Sequence, residues 1–196
     1  QGRDEAEIAA QTWSEPVEAI TPEMDLWGIH HVTGHTNDLA AAGEFYEQAL
    51  GLKLVKKTVN QDVPDLLHYF WANYDGERIL PSSDMTLFGV NHLARKAREG
   101  VGQTHHVAFR ADNDEHLAGW REHLLGQGIS VSDIRDRNYF KSIYFNAPDG
   151  LLIEIATDLP GFAVDEPAES LGTDLKLPAW LEPTRAEVEA RLSVLN

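Results

Sequence analysis

The chain contains no cysteine, which excludes disulfides, thiolate metal sites and a cysteine nucleophile. Lysine is scarce, with six in 196 residues, and basic side chains are outnumbered: 16 Lys+Arg against 32 Asp+Glu leave a formal net charge of -16. A phosphate backbone would be repelled by such a field, so nucleic acid is not expected as a partner. A hydrated surface is the plain meaning of the charge, and adaptation to high salt is the sharper one. No apolar run approaches the roughly 20 residues that span a bilayer. The acidic start, Gln1 to Glu7, lacks the make-up of a secretory signal. A cytoplasmic protein with no membrane partner is expected, long enough for one domain with a core or for two small units sharing one.

Histidine is what the chain does have. Two pairs stand 75 residues apart (31 to 106) in similar settings, Gly28-Ile29-His30-His31-Val32-Thr33 and Gly102-Gln103-Thr104-His105-His106-Val107-Ala108, and Glu154 interrupts the apolar run Leu151 to Ile155. Successive side chains of a strand point to opposite faces. Glu154 therefore parts from Leu151, Ile153 and Ile155. His106 parts from His105, Val107 and Phe109, and His31 parts from His30 and Val32. A lone strand histidine is usually a packing residue. One histidine from each pair, with a carboxylate from a third strand, instead reads as a metal site. Nitrogen and oxygen donors without thiolate suit Fe(II), with Mn(II) as the alternative, and leave coordination positions for substrate and dioxygen. An oxygen-using enzyme is the expectation.

The pairs open two copies of one pattern. The first predicts a strand near Trp27 to Thr33, caps at Thr36-Asn37-Asp38, a helix from Leu39 to Leu50 ended by Gly51, and strands near Leu52 to Val59, Leu66 to Asn73 and Met85 to Val90. The second predicts a strand over Thr104 to Arg110, caps at Asp112-Asn113-Asp114 and a helix from Glu115 to Leu125. Strands near Ile129 to Arg135, Tyr139 to Asn146 and Leu151 to Thr157 follow. The fold class is then α+β, two βαβββ modules paired into a cup-shaped mixed sheet with helices outside. The expected divisions are an acidic N-terminal arm over 1–25, with a short helix around Asp4 to Gln11, modules over 26–95 and 96–160, and a C-terminal extension over 161–196. A short helix from Pro183-Thr184 to about Leu192 lies in that extension, which either covers the outside of the sheets or closes the cup.

The paired modules resemble the vicinal oxygen chelate superfamily. Gly28 to Thr33, Leu50 to Asn60, Asp136-Arg137-Asn138-Tyr139-Phe140 and Pro148-Asp149-Gly150-Leu151-Leu152-Ile153-Glu154 are similar to its ring-cleaving hydroquinone dioxygenase branch, over residues 26 to 196. That branch carries four modules, and the two here resemble its first and last. The resemblance implies His31, His106 and Glu154 as iron ligands, Tyr144 beside the metal, and His30, Thr33, His105 and Arg137 around it. Strand parity supports Tyr144, which shares a face with Phe140 and Ser142, and opposes His30, His105 and Arg137 unless a strand bulges. His68 is a candidate lining residue, and Tyr69, Trp71, Tyr139 and Phe140 are candidate aromatic walls.

The superfamily also includes glyoxalase-type isomerases and non-catalytic binding modules, so fold alone does not choose the chemistry. The isomerase pattern needs a second acidic ligand where the first module mirrors Glu154, and aligning the last strands puts Leu87 or Phe88 there. Three ligands favour an open 2-His-1-carboxylate site. The expected reaction is dioxygen-dependent cleavage of a hydroquinone or catechol ring, with a small aromatic substrate and O2 as partners and a homo-oligomer compatible with the sequence.

Overall fold

In the computed structural model, residues 19–24, 26, 29–80, 84–90 and 100–192 are described. The helix expected around Asp4 to Gln11, and Trp27 and Gly28 of the first expected strand, lie outside them.

The first module runs β1 (His31–Thr36), α1 (Leu39–Glu44) continued by a π-helical turn (Phe45–Ala49), β2 (Lys53–Val59), β3 (Leu67–Ala72) and β4 (Asp84–Gly89). Asp38 caps α1, its carboxylate accepting from the amides of Ala40 and Ala41 at 3.1 and 2.9 Å, which satisfies two donors a helix start leaves open. Gly51 (φ 67°) takes the left-handed conformation that releases the chain into β2. The second module runs β5 (Val107–Arg110), α2 (Asp114–Gly126), β6 (Arg135–Asp136), β7 (Lys141–Asn146) and β8 (Leu152–Ala156). Asn113 caps α2 through the amide of His116. The strand expected over Ile129 to Arg135 shrinks to the two residues of β6; upstream, the Ser132 amide donates to the Tyr144 carbonyl and the Ser132 hydroxyl accepts from the Tyr144 amide, a side-chain bond in place of a ladder bond.

Each module makes its own four-stranded mixed sheet, ordered β1-β4-β3-β2 and β5-β8-β7-β6. The parallel β1–β4 and β5–β8 pairs put β1, which carries His31, and β5, which directly follows His106, at one edge of each sheet among the described residues. The helix-facing sides hold the core: Tyr46, Trp71, Met85 and Leu87 in the first module, Leu117, Leu124, Ile143, Phe145, Ile153 and Ile155 in the second. Burial of these apolar groups is the main stabilising term. Helix α1 lies so close to β4 that a Cβ at Gly89 would collide with Leu39. The modules meet where Nε2 of His123 on α2 donates to the carbonyl of Ala49 (3.1 Å), Gln127 donates to the carbonyl of Gln48 (3.0 Å), and Phe45 faces Phe145.

Beyond β8 the extension is held to the second module by Tyr139, whose hydroxyl donates to Asp165 (3.0 Å) and whose ring stacks on Phe162. Its last helix, α3 (Arg185–Glu189), is shorter than the sequence suggests, and Arg185 binds Glu182 at its start. No helix among the described residues is long and apolar enough to cross a membrane.

Candidate active site

On the second sheet, the register sets Ala108 of β5 beside Glu154 of β8 and Glu154 beside Tyr144 of β7. Alternation that buries Ile153 and Ile155 against α2 turns Glu154 to the other face, where it is still only 3% exposed. A buried carboxylate needs partners. One oxygen accepts from the Tyr144 hydroxyl at 2.6 Å and the other lies 2.7 Å from Nε2 of His106. The Tyr144 oxygen in turn accepts from Ser142 (3.1 Å) and from Nε of Arg137 (3.3 Å), and the Arg137 guanidinium lies over the Tyr144 ring, 5.2 Å from its centre. His106, Glu154, Tyr144 and Arg137 thus form one connected polar chain. Nδ1 of His105 sits 2.9 Å from Nδ1 of His106, so one ring must donate to the other, which fixes the orientation of His106.

The first sheet mirrors this plan with different chemistry. His31, Thr33 and His35 on β1 pair with Asp84, Thr86 and Phe88 on β4, and Thr86 and Phe88 pair with Phe70 and His68 on β3. His31 meets Phe70 edge to face at 6.3 Å, as His106 meets Tyr144 at 6.1 Å. His30 and His31 approach through Nδ1 at 2.9 Å, and His30 lies 3.8 Å from Asp84. Thr86, fully buried, bonds both Thr33 (2.8 Å) and Nε2 of His68 (3.0 Å). Desolvation first, and then the neighbouring His31, hold the His68 pKa below its ordinary value.

The structure brings His106 and Glu154 together but leaves His31 at the matching place in the other sheet. Among the described residues, no three His, Asp or Glu side chains form a group that could hold one metal ion. Strand parity correctly separated Tyr144 and Ser142 from buried Ile143 and Phe145. It misjudged Arg137, His30 and His105, each of which touches the site residue it was expected to avoid. The reason is shared: β6 ends at Asp136, and β1 and β5 begin at His31 and Val107, so these three side chains lie beyond the alternation of a strand. Asn138, in the left-handed conformation (φ 69°), turns the chain just after Arg137.

The counterpart of Glu154 also needs correction. It is Thr86, not Leu87 or Phe88: Thr86 pairs two residues after His31, as Glu154 pairs two residues after His106. Trp71 is buried on the helix side with its indole donating to Glu47, and Tyr69 shares its parity, so neither is a wall of this face. Tyr139 serves the C-terminal extension. Phe70 and Phe88 are the aromatic floor that sequence reasoning missed. The available signal was the alternation His68-Phe70 against Tyr69-Trp71. A cavity of about 450 Å³ lies at the module junction, lined by Phe45, Ile129, Ser130, Asn146 and Pro148, and neither the histidines nor Glu154 line it.

Residues 28–155 match the family model described as the Glyoxalase/Bleomycin resistance protein/Dioxygenase superfamily. Two proteins of Bacillus subtilis (strain 168), each named "Putative ring-cleaving dioxygenase", are similar: MhqA, 47% identical over 59% of this chain and 36% of its own length, and MhqO, 34% identical over 97% of this chain and 55% of its own. The chlorohydroquinone/hydroquinone 1,2-dioxygenase of Sphingobium indicum is 32% identical over 62% of this chain and 37% of its own length. The chain therefore spans about a third to just over half of these relatives. Among solved structures, a glyoxylase/bleomycin resistance protein/dioxygenase domain from Frankia sp. EAN1pec superposes with a TM-score of 0.57 at 17% identity, covering 68% of this chain and 99% of that one, a likeness of fold.

Proposed function

The chain belongs to the Glyoxalase/Bleomycin resistance protein/Dioxygenase superfamily, and on that premise we propose that it cleaves the ring of a hydroquinone or catechol with dioxygen, using Fe(II) held by His31, His106 and Glu154. Mn(II) fits the same donors. The observation that carries the reading is the chain His106–Glu154–Tyr144–Arg137.

The donor chemistry fits a divalent ion. Glu154 is a buried carboxylate held by a phenol and an imidazole, and a cation there would compensate its charge. His106 and Glu154 supply two donors from one sheet, and the reading assigns the third to His31, the equivalent histidine of the other. When bound, the ion supplies Lewis acidity toward a phenolic oxygen and an electron path from the ring to O2. Both oxygen atoms end in the ring-opened product as one carbon–carbon bond breaks, so no external reductant is required.

The protein's own groups then have distinct tasks. Tyr144 holds a proton on an oxygen that already accepts from Ser142 and Arg137, which makes it a stronger donor toward Glu154 or toward substrate oxygen. Arg137 places positive charge over the Tyr144 ring, where it favours a phenolate nearby. The isomerase alternative loses support because the place of a fourth, acidic ligand is occupied by uncharged Thr86.

The test is anaerobic loading with iron, metal analysis, and O2 uptake with a panel of hydroquinones and catechols. The reading expects iron binding, O2 consumption and a ring-opened acid carrying both oxygen atoms. Isomerisation of a glutathione hemithioacetal with Ni or Zn and no O2 uptake would replace it with the glyoxalase reading.

A further inference from the structure

We propose that His68, acting through Thr86, orients the Thr33 hydroxyl as a hydrogen-bond donor to the phenolic oxygen of an aromatic diol lying on the Phe70–Phe88 floor of the first sheet. This rests on the ring-cleavage reading and specifies which side chains of the first module recognise its substrate.

The Thr86 hydroxyl is fully buried between two partners, Nε2 of His68 at 3.0 Å and Oγ1 of Thr33 at 2.8 Å. A hydroxyl has a single hydrogen, and in the proposed relay Thr86 gives it to the Thr33 oxygen, 2.8 Å away. Its lone pair must then accept the Nε2–H of His68, which fixes that imidazole in the tautomer with a bare Nδ1. With its oxygen engaged as an acceptor, Thr33 keeps its own hydrogen to donate. Thr33 is exposed on the same face, and no other hydrogen bond is made by its hydroxyl among the described residues. The relay therefore runs in one direction, from His68 to Thr86 to Thr33, and ends in an outward donor.

The surroundings define what accepts from it. His68 lies 4.2 Å, centre to centre, from both Phe70 and Phe88, and His35 continues the aromatic surface beside Phe88. A flat aromatic molecule stacks on such a floor. The Thr33 donor on the neighbouring edge strand selects one that carries an oxygen. The place of Thr86 is taken in the second sheet by the carboxylate of Glu154, which would repel a phenolate. Exchanging Glu for Thr between modules thus turns one half toward the ion and the other toward the organic oxygen. His68 and Thr86 are positioning residues in this scheme, and Thr33 is the group that touches substrate.

Two measurements test it on the iron-loaded chain. Anaerobic calorimetry with hydroquinone should show binding weakened about tenfold in Thr86→Val, the loss of one positioned hydrogen bond to a partly charged oxygen, with recovery in Thr86→Ser. In turnover the loss should fall on KM, with kcat within about twofold. His68→Phe, which keeps the stack and removes the N–H, should weaken binding several-fold and serves if Thr86→Val fails to fold.

Independently of activity, long-range 1H–15N correlation on the iron-free protein should find His68 protonated at Nε2. Wild-type hydroquinone affinity in the folded Thr86→Val or His68→Phe protein would overturn the proposal. So would an Nδ1–H tautomer of His68, even with hydroquinone cleavage intact, in which case only the relay falls. A wild type that binds no diol while His68 is protonated at Nε2 would overturn substrate recognition here together with the ring-cleavage reading.

Discussion

Thr86 and Glu154 occupy the same place in the two sheets. Thr86 pairs with Thr33, two residues beyond His31, and Glu154 pairs with Ala108, two residues beyond His106. Both are buried on the face opposite the helices, and each bonds a neighbour from the adjoining antiparallel strand, His68 for Thr86 and Tyr144 for Glu154. A repeat that is regular in backbone therefore differs at this position in whether it carries a charge. The proposed metal chemistry depends on that difference.

Glu154→Gln should abolish tight iron binding while Thr86→Val retains it, since only the carboxylate offers an anionic donor. His31→Ala and His106→Ala should lose iron as well. Iron content after anaerobic loading and gel filtration checks all four, and wild-type occupancy in His31→Ala would remove His31 from the ligand set.

Tyr144→Phe should keep the fold and most of the iron but lower O2-dependent turnover on the order of 10²-fold, the usual loss when one positioned donor is removed. Ser142→Ala, which removes one of the two donors to the Tyr144 oxygen, should cost less. Steady-state oxygen uptake at matched iron loading separates the two, and unchanged turnover in Tyr144→Phe would make this tyrosine a packing residue.

His105→Phe should reduce iron affinity roughly tenfold, because the hydrogen bond between the two Nδ1 atoms orients His106. Competition with a calibrated chelator measures this. Equal affinity in the variant would confine the pair to packing.

Asp149 gives a pH signature. Burial pushes its carboxyl above the ordinary range, and the bond it accepts from the amide of Leu151 offsets that only in part. A folded pKa above the unfolded one means that the stability contribution is fully present below the unfolded pKa, near 3.8, and is lost as pH rises through the folded value. Asp149→Asn keeps an acceptor for Leu151, so it should raise Tm at pH 7 by about 2 °C and leave it unchanged at pH 3. Thermal melts at the two pH values decide, and a larger gain in acid would reverse the assignment.

Asp38→Ala should destabilise by about 1 kcal/mol, the ordinary cost of losing a helix N-cap, with no effect on iron binding. Chemical denaturation at neutral pH is the check.

Much of the architecture could be read from local chemistry. Asp38 and Asn113 both cap helices as their positions suggested, and Gly51 ends the first one, because a cap needs only a side-chain oxygen or a missing Cβ within a few residues. The parity of Glu154 against Ile153 and Ile155 held for the same reason: it is a property of one strand. Arg137 was misjudged because alternation stops with the strand, and β6 stops at Asp136.

The amino-acid sequence by itself determined the repeat, the caps, the alternating faces and the residue types able to bind a metal, since each depends on neighbours within a few positions. Strand register decided that Thr86, and not Leu87 or Phe88, answers Glu154, and that His68 comes within hydrogen-bond reach of Thr86, because pairing between strands far apart in sequence depends on how whole sheets pack. The grouping of His106, Glu154, Tyr144 and Arg137 was likewise decided only in three dimensions. Hydrogen bonds between side chains have a reach of about 3 Å, and no spacing along the chain specifies which distant groups come within it.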